Sequence, residues 1–392
     1  MLGQEILPGK SVQLNLEVAD FHTRTPIHVP VLVERAKEDG PTVLVMAGLH
    51  GDELNGIEIV RRFLRKKLNK PTKGTIVCLP IFNIFGFLNL KRELPDGRDL
   101  NRSFPGSNSG SLAAQFAFHF MKEIAPHCDY IIDFHTGAAQ RNNFSQIRCV
   151  FSDQESVELA KVFNPPFILH SSLISKTLRE SMVKRKKRLL LFEGGKSNNI
   201  EENVVEEGLN GLKRVISHLG MRNYKIDLSK DRQPIFIGEN KWMRAPSSGM
   251  FQCFVANGTS VQKGEILALV TDPYGKYEKQ IKASQSGYVI CINEAPVVYK
   301  GDAIIHLAKE KHQHLSIPTV TMKKVLFLLF LNLFTLQLLG QNNFTPQQFL
   351  GYNIGEQFTR QHRVVDYFFA LEKAFPNNIK VVKTGQTYEK RD

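Results

Sequence analysis

Residues 11–33 alternate polar and apolar side chains in two runs, Ser11 to Val18 and Pro26 to Val33. A period of two predicts a half-buried hairpin at a sheet edge. Between residues 40 and 220 the rhythm changes. Continuous apolar runs occur at Thr42–Ala47, Gly74–Pro80, Tyr130–Asp133, Cys149–Phe151 and Leu189–Phe192. Helical periodicity separates them, at Asn55–Lys67, Ser111–Ile124, Gln154–Phe163 and Glu206–Leu219. Short strands that are apolar on both faces, with amphipathic helices between them, predict an α/β domain over residues 1–235. Its sheet is expected to be mixed, largely parallel and flanked by helices. Ligands of such sheets bind beyond the carboxyl ends of the strands.

The texture changes again at 240–308, where short strand candidates are punctuated by Gly249, Gly258, Gly264, Gly275, Gly287 and Gly301. The stretches Ala245–Phe251 and Ala283–Val289 mirror one another loosely, predicting a small C-terminal all-β domain, a half-barrel or sandwich of two similar hairpins. The turn Val261–Gly264 has the look of a lipoyl-like sandwich. It lacks the Met-Lys or Asp-Lys modification pair at a hairpin tip, so a carrier role is not expected.

Residues 309–321 read as a polar linker. Met322-Lys323-Lys324 and the apolar Val325–Leu339 follow, ending at Gly340-Gln341. About 20 apolar residues are needed to span a bilayer, and this run is shorter. Its basic, then apolar, then small-residue layout is that of a bacterial secretory signal peptide placed in mid-chain. The expectation is that Met322 opens a second, secreted protein fused by read-through or assembly error; a membrane anchor is the alternative. Residues 342–392 are expected to be a truncated fragment with a helix at Phe358–Phe375 and a strand at Ile379–Val382.

Composition narrows the class of function. The 392 residues are 42% hydrophobic and 23% charged, as in ordinary globular proteins. The net charge of +13 admits nucleic acid or a membrane surface as partner. However, Lys184–Arg188 alone supplies five positive charges, and no nucleic-acid motif accompanies it. A solvated basic face or an acidic small substrate accounts for the charge. The five cysteines are scattered without a CxxC pair, which predicts buried free thiols. The N-terminus carries no export signal, so a cytoplasmic location is expected for residues 1–321.

Candidate chemistry gathers at strand ends. His50 and Glu53 lie three residues apart in Gly48-Leu49-His50-Gly51-Asp52-Glu53, just after an apolar run. His135 follows another such run, in Asp133-Phe134-His135-Thr136-Gly137. Two histidines, one carboxylate and an open position are the ligand set of a hydrolytic zinc site. Asp133 falls on the same strand face as His135 and can orient its imidazole. The loop Arg92–Gly106 carries Arg92, Arg98, Asn101 and Arg102; an arginine fork matches a carboxylate through two parallel hydrogen bonds. Glu193, at a strand end before Gly194-Gly195, is placed like a general base.

These four motifs resemble, in order and spacing, the succinylglutamate desuccinylase/aspartoacylase family, a branch of the zinc carboxypeptidase superfamily. The resemblance runs from Val43 to Ala308. It implies a zinc carboxypeptidase-like fold with one Zn2+ per chain held by His50, Glu53 and His135. It also implies Glu193 as general base, Arg92 polarising the scissile carbonyl, and Asn101 and Arg102 holding the substrate carboxylate, with Arg98 assisting. The β unit would cap part of the entrance. Phe344–Asp392 resembles the start of secreted zinc carboxypeptidases, ending near Gly385-Gln386-Thr387-Tyr388-Glu389-Lys390-Arg391.

The reaction expected is hydrolysis of the amide of an N-acyl amino acid. A carboxypeptidase acting on a short peptide or peptide-like tag needs the same groups, and the motifs do not separate the two. A non-catalytic binding protein fits poorly, because the ligand triad and Glu193 are both intact.

Overall fold

The computed structural model describes residues 1–20, 22–227, 231–311 and 344–382. The edge hairpin is present. Strands β1 (Ser11–Asp20) and β2 (Pro26–Arg35) pair antiparallel, burying Leu14, Leu16 and Val18 on one face. Next come β3 (Glu38–Ala47), α1 (Leu54–Arg65), β4 (Lys73–Leu79), α2 (Ile84–Asn89) and α3 (Leu112–Glu123). They are followed by β5 (Tyr130–Gly137), β6 (Arg141–Cys149), α4 (Gln154–Phe163), β7 (Phe167–His170), α5 (Leu178–Lys184), β8 (Arg188–Lys196) and α6 (Glu202–His218). The helices lie where the periodicity put them, except that α6 starts four residues early and the short α2 and α5 carry too few turns to show a period.

Alternation within β3 explains the two layers. Val43, Val45 and Ala47 face one side, packing with Phe63, Phe134, Phe163 and Phe192. Leu44 and Met46 face the other, with Phe82, Phe116 and Phe120. A strand buried on both faces reads as a continuous apolar run, and helices cover both sides. Helices α1 and α6 lie on the same side, joined by Arg62, which hydrogen-bonds to Glu58 (2.6 Å) and Glu202 (2.6 Å).

The remaining strands are β9 (Ile235–Arg244), β10 (Gly249–Cys253), β11 (Ser260–Val261), β12 (Ile266–Thr271), β13 (Glu278–Lys282), β14 (Gly287–Asn293), β15 (Val297–Val298) and β16 (Ala303–Glu310). The large sheet has the order β1-β2-β4-β3-β5-β8-β6-β7-β9-β16-β14-β11, and β14 also pairs with β6. Parallel pairing is confined to β4-β3-β5-β8 and β6-β7-β9; the other pairs are antiparallel. The expectation of a largely parallel sheet therefore holds only for these stretches, and the sheet as a whole is mixed. The physical reason is the three-residue link between β5 and β6, too short for a parallel crossover of about a dozen residues.

Hydrogen bonding does not break at the change of texture near residue 240. Strand β9 extends the large sheet from β7, and β6, β7, β9, β16 and β14 close into a ring through the β14–β6 pairs. Strands β13-β12-β10-β15 form a second, antiparallel sheet, and Phe251, Leu267 and Val270 pack with Val289, Ile305 and Leu307 beneath it. Residues 1–313 form one compact unit.

The tail forms a separate unit. Its described part holds α7 (Pro346–Leu350) and α8 (Gln361–Ala374), and neither helix has a buried residue. Residues 379–382 do not form the expected strand. The apolar run 325–339 and the motif at 385–391 lie outside the described residues. Among the described residues, no helix is long and apolar enough to cross a membrane.

Candidate functional site

Three neighbouring parallel strands deliver the candidate residues to one end of the sheet. Register pairs Ala47 with Phe134, and His135 with Glu193, so β3, β5 and β8 end side by side. The turn after β3 needs two glycines. Gly48 has φ +63°, and a Cβ there would come within 2.9 Å of the Ile81 backbone. A Cβ on Gly51 would sit 1.8 Å from the Gly86 carbonyl carbon, so the α2 backbone closes directly over it. Glu53 stands at the N-cap of α1 but makes no capping bond, because its carboxylate is used elsewhere.

That use is the centre of the site. Glu53 Oε1 lies 2.8 Å from His50 Nδ1, and Oε2 lies 2.8 Å from His135 Nδ1. The three are buried, with candidate ligand atoms within 4.8 Å of one another. Each imidazole is held from behind through Nε2, His50 by Asp99 Oδ1 at 3.1 Å and His135 by Asp133 Oδ2 at 2.9 Å. Both Nδ1 atoms therefore converge on one point, and outer carboxylates fix both rings. This is the donor set and outer arrangement of a metal site built from histidines and a carboxylate.

The charges agree with that geometry. Burial alone would push the Glu53 carboxyl up, but the flanking His50 and His135 outweigh it and hold it well below the usual range. Burial alone would push both histidines down. Glu53 and Asp99 raise His50, and Asp133 with Glu53 raises His135 well above its ordinary value. A cluster that draws positive charge this strongly is suited to a cation.

The cluster opens into a cavity of about 540 Å3. Arg92 enters it, 3.1 Å from His50 Nδ1 and 3.3 Å from Glu53 Oε1, and Asp99 Oδ2 accepts from its Nη2 at 2.8 Å. Asn101 and Arg102 line it as well. Asn101 Oδ1 accepts from the Leu178 amide at 3.0 Å, so its NH2 group is the part left for a ligand. Arg98 does not line the cavity: it follows the Asp96-Gly97 turn, is exposed, and pairs with Asp96. Glu193 also lines the cavity, with both oxygens engaged by β6.

Several lining residues went unrecognised in the sequence. Asp99 sits inside the Arg-rich loop and could have been marked by its place beside Asn101-Arg102. Asn143, Arg148, Arg179, Trp242 and His306 carry no local signal. They come from β6, α5, β9 and β16: β6 reaches the cavity by pairing beside β8, and β9 and β16 as members of the ring. Trp242 stacks on His306 at 4.4 Å, with the Arg141 guanidinium 5.6 Å from its ring. Burial, and then Arg148, push His306 down to about 3, so it is neutral.

Comparison with known proteins finds similar ones. The profile of the Succinylglutamate desuccinylase/Aspartoacylase catalytic domain matches residues 39–219. The N-alpha-acetyl-L-2,4-diaminobutyric acid deacetylase of Halomonas elongata is 26% identical over 298 residues, 72% of this chain and 86% of that protein. The product-bound ectoine utilization protein EutE (DoeB) of Ruegeria pomeroyi has a similar structure, with TM-score 0.70 and 21% identity, covering 79% of this chain and 97% of that one. A succinylglutamate desuccinylase/aspartoacylase from Rhodobacter sphaeroides gives TM-score 0.69 and 20% identity, covering 79% and 99%.

Proposed function

From the premise that residues 39–219 belong to the succinylglutamate desuccinylase/aspartoacylase family, we propose that this chain is a zinc-dependent deacylase that hydrolyses the amide of an N-acyl amino acid. The observation that carries the reading is the convergence of His50, Glu53 and His135 at one end of a cavity walled by Glu193 and arginines. The Halomonas relative, by its name, removes an acetyl group from such a compound. Aligned strand ends are where this class of sheet binds its ligands.

Each residue has a task that its position supports. His50, Glu53 and His135 hold the metal, and Asp99 and Asp133 orient the two imidazoles. A zinc ion held there supplies Lewis acidity and a water activated near neutral pH. Glu193 takes a proton from the attacking water and passes it to the leaving amine nitrogen as the C–N bond breaks. Arg92 stabilises the charge developing on the carbonyl oxygen, a contribution of a few kcal/mol for a well-placed donor. The Asn101 NH2 group and the Arg102 guanidinium receive the substrate carboxylate.

The test is Glu193→Ala. The variant should keep its zinc, one ion per chain by elemental analysis, and lose about 100- to 10,000-fold in kcat on the best substrate of an N-acyl amino acid panel. Near-normal kcat would remove Glu193 from the mechanism. A panel that also contains dipeptides separates a deacylase from a carboxypeptidase.

A further inference from the structure

We propose that Asn143 and Arg148 of β6 are positioning residues for the reaction, each gripping one oxygen of Glu193. The assignment rests on Glu193 being the base. Asn143 Nδ2 donates to Glu193 Oε2 at 2.8 Å, and Arg148 Nη1 lies 3.4 Å from Oε1. Both partners come from one strand, which runs antiparallel beside β8.

An irregularity in that strand makes the double grip possible. Gln146 stands directly opposite Glu193, and Arg148 follows two residues later on the same face. Asn143 is three residues before Gln146, so a regular strand would turn it to the other face. The register slips between Asn143 and Gln146, and that slip returns Asn143 to the Glu193 side. Irregularities of this kind re-aim side chains next to active sites.

The surroundings leave Arg148 free for this task. Its Nε is buried without a hydrogen-bond partner, so the guanidinium is not committed to another carboxylate. Its strand is pinned: the Arg148 carbonyl accepts from Arg179 Nη1 at 3.4 Å, and Arg179 Nη2 also donates to Ser171 Oγ at 3.0 Å and the Ser172 carbonyl at 2.7 Å. Two donors, one per oxygen, fix the plane of the carboxylate. Each oxygen keeps a second lone pair for the water proton.

The test separates kcat from KM in Arg148→Met, Arg148→Lys and Asn143→Leu, assayed on the best N-acyl amino acid with zinc content measured alongside. Arg148→Met should lower kcat about 10- to 100-fold with KM within about twofold and zinc unchanged. Arg148→Lys should recover part of the loss, because it restores the charge without the planar fork. Asn143→Leu should lower kcat in the same way. If Arg148→Met does not fold, Asn143→Leu decides by the same criteria. A rise in KM at unchanged kcat would make these residues substrate contacts and overturn the proposal; unchanged kinetics would overturn it too. If the unaltered chain hydrolyses nothing in the panel, the functional reading itself fails, and this assignment falls with it.

Discussion

The two walls of the cavity are built in different ways. On one side, His50, Glu53 and His135 come from two short motifs at the ends of adjacent parallel strands, and buried carboxylates lock them. On the other, Asn143, Arg148, Arg179, Trp242 and His306 come from four elements spread over more than 160 positions and meet only through pairing and packing between distant parts of the chain. The first wall resembles a fixed tool and the second a fitting around it. The first group depends on spacings of a few residues, and the second on pairing between distant elements.

The sharpest way to break the comparison is to damage the first wall. His135→Ala removes one of three ligands and leaves Glu53 and Asp133 without their shared partner. Stoichiometric zinc and measurable hydrolysis should both disappear, as read by elemental analysis and product assay; a variant still holding one ion per chain would place the metal elsewhere.

Asp133→Asn is a gentler change, which keeps the shape and removes the charge behind His135. Zinc affinity should weaken about 10- to 100-fold, the usual effect of losing an outer carboxylate. Competition with a chelator measures it, and an unchanged affinity would mean that the strand alone orients the ring.

The smallest effect tests the second wall. Burial holds His306 at about 3, below its ordinary 6.5. Between those values the unfolded chain binds a proton at this residue and the folded chain does not. This part of the stability is therefore present at neutral pH and drains away as pH falls from about 6.5 towards 3. His306→Gln should remove that sensitivity: between pH 7 and 4.5 the parent should lose roughly 2 kcal/mol more than the variant in urea unfolding. Equal losses would show that His306 is not the group responsible.

Legibility followed the same division. The hairpin, the central strands and helices α1, α3 and α4 could be read because burial on one or both faces imposes a period on neighbouring residues. The motifs at 48–53 and 133–137 could be read because each candidate metal-site residue lies within three positions of a partner or of a strand end. Arg98 was grouped with its loop neighbours, yet the turn at Gly97 sends it away from the cavity. Periodicity carries no information about strand direction, so the antiparallel return of β6 was missed. The ring joining β9, β14 and β16 to β6 and β7 was missed for a related reason: hydrogen bonds between distant strands leave no local pattern.

The sequence by itself determined the helix-flanked α/β architecture, the candidate ligand set His50, Glu53 and His135, and the candidate base. These depend on side-chain type and on spacings of a few residues, which local covalent geometry turns into structure. Tertiary structure decided which carboxylates stand behind the imidazoles, which donors grip Glu193, and that the C-terminal β unit shares a sheet with the site. Those outcomes depend on register and closure, which are set by packing and hydrogen bonding summed over the whole unit.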